Sequence, residues 1–144
     1  MKAIAVLMAV IAVVFAGCQT IQMRIPEPKL AIEEFHFINS DKEPIDVIDR
    51  GDRFAIYVKL NNADHYGKAE LNIAITITLP GGETEEITLS YQQDNPTLPI
   101  ELFSVLTAPM HYPLGVYTFD ILVQDVISGY SATGTADIRF VFSI

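Results

Sequence analysis

The sequence predicts an all-β fold, a single antiparallel β-sandwich of seven to eight strands, and three observations carry that prediction. From Leu30 onward apolar residues recur at every second position, and almost nowhere at the spacing of a helix face. Turn-forming residues interrupt these runs at intervals of about 8 to 15 residues, a rhythm of short strands. Each run has one apolar face, which a second sheet must cover. The chain of 144 residues suffices for one domain and is too short for two well-filled cores.

The strands follow in order. Ile32, Phe35 and Phe37 place the first between Leu30 and Asn39, with a phase slip at Glu33-Glu34 that predicts a bulge. Arg53 to Leu60 turns Phe54, Ile56, Val58 and Leu60 to one side and Ala55, Tyr57 and Lys59 to the other. Ala69 to Leu79 alternates through Leu71, Ile73, Ile75 and Ile77. Pro80-Gly81-Gly82 breaks that run, and Glu83 to Tyr91 resumes it with Ile87, Leu89 and Tyr91 inward, so the two runs form a hairpin. Ile100 to Leu106 is bounded by Pro96, Pro99 and Pro109. Val116 to Gln124 points Tyr117, Phe119, Ile121 and Val123 inward, and Thr133 to Ile144 does so with Ile138, Phe140, Phe142 and Ile144. At a sheet edge this last strand could accept a partner strand; central pairing, with its apolar residues in the core, is the expected arrangement.

The residues before the first strand read as an address. Lys2 precedes an unbroken apolar or small run from Ala3 to Gly17, too short for a membrane span of about 20 residues and suited to a cleaved secretory signal peptide. The run ends Val14-Phe15-Ala16-Gly17-Cys18, with the single cysteine of the chain after two small residues. This resembles the lipobox of bacterial lipoproteins, with Phe15 where that family most often has Leu. The resemblance implies that Cys18 is diacylated and becomes the N-terminus, so that acyl chains (palmitate among them) attach the protein to a membrane. The division is then 1–17 signal peptide, 18–29 lipidated Cys and Pro-containing tether, and 30–144 sandwich domain. Gln19, where Asp would favour inner-membrane retention in Gram-negative lipoproteins, implies the outer membrane, facing the periplasm or the exterior. Pro26 and Pro28 hold the tether extended, with a reach of roughly 35 Å at most. Loss of Lys2 with the leader would take the formal charge from -9 to -10. So acidic a domain is expected to stand off anionic headgroups.

The segment Gly115-Val-Tyr-Thr-Phe-Asp-Ile-Leu-Val-Gln-Asp-Val-Ile-Ser-Gly129 resembles the penultimate strand and turn of bacterial immunoglobulin-like and fibronectin-type domains. There a Gly-x-Tyr opens the strand and the tyrosine hydroxyl ties back to the preceding corner. The resemblance implies a structural corner at Gly115, Tyr117 and Phe119. With Phe119 where antibody domains have a disulfide cysteine, and with no tryptophan, this is the cysteine-free variety. It implies fold rather than function.

Composition excludes several function classes. The chain is 50% hydrophobic and 19% charged, with 9 Lys+Arg against 18 Asp+Glu. That hydrophobicity excludes disorder, and the acidic balance excludes a phosphate-tracking nucleic-acid binder. One cysteine excludes a disulfide framework within the chain. No nucleophile elbow, phosphate loop or dinucleotide fingerprint is present, so neither catalytic residues nor a cofactor are expected. Glu33-Glu34 and Glu85-Glu86 are paired carboxylates, but strand neighbours point to opposite faces and each pair should split. Metal binding is not expected either; Met110, His111, His36 and His65 are the side chains a copper or zinc ion would have to use. Asp46, Asp49, Asp52 and Asp64 with Asn61 and Asn62 are the oxygen ligands open to calcium, without EF-hand spacing. Arg50-Gly51-Asp52 matches an adhesion tripeptide, and a turn into a strand explains its glycine.

A scaffold without a visible reactive constellation, held near a membrane, reads as a binding or structural module of the cell envelope and not an enzyme. Its partners would be the membrane, through the acyl chains, and a protein of the envelope. Recognition is expected on loops such as Asn61 to Gly67 and Gln92 to Pro99. The alternatives are a periplasmic copper or other metal-handling protein and a small carbohydrate-binding module, the latter with Tyr57, Tyr66, Tyr91, Tyr112 and Tyr130 as stacking rings.

Overall fold

The computed structural model describes residues 29–142, and every regular element among them is a strand. The proposed leader, Cys18 and nearly all of the tether lie outside the described residues. In chain order the strands are β1 (Ala31–Ile38), β2 (Pro44–Ile45), β3 (Val47–Asp49), β4 (Arg53–Asn61), β5 (Lys68–Thr78), β6 (Thr84–Asp94), β7 (Ile100–Thr107), β8 (Gly115–Asp125) and β9 (Ser131–Val141). They form a four-stranded sheet, β2-β1-β4-β7, and a five-stranded sheet, β3-β9-β8-β5-β6. The alternating runs of β4, β5 and β8 bury one face each, and the two buried faces meet as the core. Phe37 sits at the junction, edge-on to Phe54 of its own sheet at 5.8 Å and to Phe119 of the other at 4.9 Å. Burying one such side chain contributes about 1.5 to 3 kcal/mol.

The β-sandwich is therefore as expected, with nine strands where seven to eight were anticipated, β2 and β3 being the two without a run of their own in the sequence reading. Both extra strands are too short to show a period of two. After β1, the Asn39 side chain accepts the backbone N–H groups of Asp41 and Glu43, a local turn that starts the chain back along β1 as β2. The chain then crosses to the second sheet, where β3 lies parallel to β9 and Arg139 N–H donates to Asp46 O at 2.8 Å. That one parallel pair departs from an all-antiparallel reading. It also fixes the place of β9, between β3 and β8 and not at an edge. The strand stops at Val141; Phe142, expected in the core, is exposed under the guanidinium of Arg50.

The bulge falls where the phase slips, between Ile32 and Glu34. The hairpin of β5 and β6 runs in register from Lys68–Asp94 to Thr78–Thr84, so Gln92 to Asp94 extend a strand instead of opening a loop. Leu89, expected inward, is exposed, because β6 is an edge strand and has no neighbour to close over it.

At the start of β8 the Tyr117 hydroxyl donates to the Pro113 carbonyl at 2.7 Å, and its buried ring stacks on Phe140 at 4.1 Å. This is the tyrosine corner that the Gly-x-Tyr signature implied. Gly115 is required there: its φ is +133°, and a Cβ would stand 3.0 Å from Pro80 Cγ. Burial first, and then the charge of Glu85, raises the pKa of the Tyr117 hydroxyl, which keeps it a donor.

Strand directions sort the loops into two ends. The start of β1 at Lys29–Leu30, the β4–β5 loop, the β6–β7 loop and the β8–β9 turn share one end; the β3–β4, β5–β6 and β7–β8 connections share the other.

Candidate surface and polar sites

The outer face of the four-stranded sheet carries the most prominent exposed apolar feature of a strand surface. Alternation puts Tyr57 outward on β4, and register sets His36 of β1 on one side of it and Phe103 of β7 on the other. The three rings form a ladder across the sheet, with centroids 5.0 Å apart for His36–Tyr57 and 5.1 Å for Tyr57–Phe103. Phe103 is 54% exposed and Val105, two residues on, 67%. Beside them Ile38, Ala55, Arg53 and Lys42 line a depression of about 360 Å³.

Charge borders the ladder on its other side. Glu33 and Glu34 both reach the Lys59 ammonium, at 3.5 and 3.6 Å. The expectation that this pair would split is corrected here: the bulge between Ile32 and Glu34 breaks the alternation and brings both carboxylates to one amine. The charge of Glu33 is the main cause of a raised Lys59 pKa. Tyr57 donates its hydroxyl proton to Glu101 at 2.9 Å; partial burial first, then that bond and the nearby carboxylates, push its pKa up to about 12. The surface thus offers apolar rings next to carboxylates held by their neighbours, suited to contact and hydrogen bonding.

The metal candidates are scattered. His36 lies in the ladder, 4.0 Å from Glu34. His65 is in the β4–β5 loop at the Lys29 end, whereas Met110 and His111 are in the β7–β8 connection at the opposite end, Met110 against Gly51 and His111 edge-on to Tyr112. The calcium candidates divide likewise, Asp46, Asp49 and Asp52 at one end and Asn61, Asn62 and Asp64 at the other. Among the described residues no group of three or more His, Cys, Asp or Glu could hold a metal ion. Within Arg50-Gly51-Asp52 the arginine is turned inward, its Nη1 donating to Tyr112 O at 2.9 Å, and Gly51 takes a φ of +93° in the turn into β4.

One polar pair went unread in the sequence. His65, 8% exposed, and Asp125, 2% exposed, meet with Nε2 and Oδ2 2.5 Å apart. The other oxygen of Asp125 accepts the N–H groups of Ile127 and Ser128 at 3.0 and 3.2 Å. That half was legible, since an acid followed by Val-Ile-Ser-Gly is a turn that its own side chain can cap; the histidine partner, 60 residues away, was not. A general base must reach a substrate proton. Buried as it is, this pair instead clasps two loops together.

No family model matches the sequence, and no curated protein matches it. Solved structures share the architecture. A Pseudomonas fluorescens alkylpurine DNA glycosylase, determined with DNA, aligns with a TM-score of 0.50 and 11% identity over 78% of this chain. A Bacteroides uniformis β-glucuronidase aligns with a TM-score of 0.50 and 12% identity, also over 78%. The chain spans 30% of the first and 14% of the second, and at such identity the likeness is one of fold alone. An immunoglobulin-like protein from Pseudomonas aeruginosa aligns over 80% of this chain and all of its own length, with 12% identity and a TM-score of 0.41.

Proposed function

We propose that the protein is a lipid-anchored binding module of a bacterial cell envelope, which presents the outer face of its four-stranded sheet to a protein partner. The observation that carries this reading is the ladder His36–Tyr57–Phe103 with Val105: exposed Phe103 and Val105 beside two half-buried rings on the outer face of one sheet. The lipobox-like run ending at Cys18 supports the anchor, and Gln19 supports the outer membrane.

Two measurements test the two halves. Cys18→Ser should leave the domain folded and release it from the membrane fraction, since each acyl methylene contributes roughly 0.8 kcal/mol to membrane binding; retention of the processed Ser variant would overturn the anchor. A photo-crosslinking residue at position 105 should trap one discrete adduct in envelopes, and Phe103→Asp should abolish it. The same residue at position 137, on the outer face of the five-stranded sheet, should trap none. Equal labelling from both positions would remove the surface from the proposal. A carbohydrate ligand is the second reading, favoured by the exposed Phe103 ring beside the Glu101 carboxylate. Glycan binding lost in Phe103→Ala would move the proposal to it.

A further inference from the structure

We infer that the Lys29 end of the sandwich is a docking surface for the interface of a lipid bilayer, seated by the tips of three loops. The inference rests on the anchored reading above, and its evidence is what the tips display. Tyr66 in the β4–β5 loop is 105% exposed, Leu98 in the β6–β7 loop 58%, and Val126 and Ile127 in the β8–β9 turn 48% each. In the tip segments 62–67, 95–99 and 126–130 the one carboxylate is Asp64, and its Oδ1 is buried. Next to the tips Lys68 stands opposite Asp94 in the β5–β6 register and Lys29 adds a cation, while Glu33, Glu70 and Glu101 stand farther along the strands.

The tips are fixed, not loose. His65 is clasped to Asp125; Asn95 N–H donates to Gly67 O at 2.6 Å and Val126 N–H to Glu70 O at 3.0 Å. Asn62 Nδ2 donates to Lys29 O at 2.8 Å, which joins the start of the domain to the same surface. Tyr66 itself occupies a position that chemistry does not favour for it. His65 and Lys68 exchange both backbone hydrogen bonds around the two-residue loop Tyr66-Gly67, whose φ values are +53° and +79°. Asn or Gly is the usual first residue of such a turn. A tyrosine there puts an amphipathic ring at the outermost point of the end, the side chain that membrane interfaces favour.

What commits this end to lipid is the position of the rest of the chain. The residues before Lys29 include the apolar run and Cys18, and the ten residues from 19 to 28 reach roughly 31 Å when extended. A domain anchored through Cys18 therefore has its Lys29 end nearest the bilayer. The stand-off expected of so acidic a chain treats its charge as uniform, whereas the tips carry little of it. Contact end-on would leave the ladder facing sideways, open to its partner.

The chain has no tryptophan, so one introduced ring reports alone. Full-length Tyr66→Trp, Ile127→Trp and Leu114→Trp, the last at the opposite end, are reconstituted in phosphatidylethanolamine–phosphatidylglycerol vesicles with and without brominated acyl chains. Trp at 66 and at 127 should shift its emission to the blue and lose roughly half its intensity to bromine, as an interfacial ring 5–10 Å deep would; Trp at 114 should do neither. Ile127→Trp keeps the test decisive if Tyr66→Trp fails to fold. Flotation of the unsubstituted chain against Cys18→Ser reads the anchor separately. Vesicles that carry the protein while the tip probes remain as water-exposed as Trp at 114 overturn the docking alone, and that outcome would assign the tips to a protein surface. Flotation that does not depend on Cys18 overturns the anchor, and the docking with it.

Discussion

The two ends of the sandwich close by opposite means. At the Lys29 end the polar groups are inside and the apolar ones outside: His65 and Asp125 are buried, while Tyr66, Leu98, Val126 and Ile127 project. At the other end an aromatic stack is inside, while Met110, Leu114 and Phe142 are exposed. Tyr117 lies between Phe140 and the parallel ring of Tyr112, and the loops around them display Asp41, Lys42, Glu43 and Asp52. An end that needs only solubility can bury its aromatics and expose its charges. Both ends expose apolar side chains, but at the Lys29 end they stand on tip segments with a single carboxylate, Asp64, over a buried polar clasp that holds those loops in place.

The largest effect should come from breaking the clasp. Asp125→Ala leaves His65 and two turn N–H groups without their acceptor in a buried site, and should cost about 3 to 5 kcal/mol in urea unfolding. A loss below about 1 kcal/mol would mean that the Lys29 end does not depend on it. At the opposite end Tyr117→Phe should cost about 1 to 3 kcal/mol, because the Pro113 carbonyl loses its donor without regaining water. An unchanged midpoint would reduce the corner to packing. The third change should go the other way. Tyr66→Gly relieves a left-handed backbone and should stabilise the domain by about 1 kcal/mol, so the native tyrosine is held at a cost in stability; no gain would mean that the turn is unstrained and the contrast between ends weaker than drawn.

The smallest effect is alkaline. The folded state holds the protons of Tyr57 and Tyr112 to about 12 against an ordinary 10, Tyr57 chiefly through burial and Tyr112 chiefly through its hydrogen bond to Glu85. Between those values the folded form binds more protons than the unfolded one. Stability is therefore intact below pH 10 and declines as pH rises toward 12. Tyr112→Phe should flatten the decline arising at the opposite end and Tyr57→Phe that arising on the sheet face, read from denaturation midpoints across that range.

Legibility followed burial. β4, β5 and β8 were read from their alternation because each lies inside a sheet with one face in the core, so every second position is dictated. Edge positions obey no such rule, and Leu89 is exposed on β6 despite its phase. β2 and β3 exist through contacts with β1 and β9, and two or three residues hold no period to find. The Tyr117 corner was legible through the Gly-x-Tyr resemblance, a local signature whose partner, Pro113, lies four residues away. The His65–Asp125 clasp and the aromatic ladder were not, since each joins residues whose neighbourhood is set only by the finished register.

The pairing of β3 with β9 bears on when the molecule can form. Val47 to Asp49 find their partners at Arg139 to Val141, and β1 packs across the core on the same last strand. Such separation in sequence makes for slow closure, since the loop entropy falls due before the contact is made. Before residue 141 has been made β3 lacks its partner and β1 lacks the last strand it packs on, so closure of the sandwich waits for β9. Until then the sandwich cannot close, and the chain before β9 stays threadable.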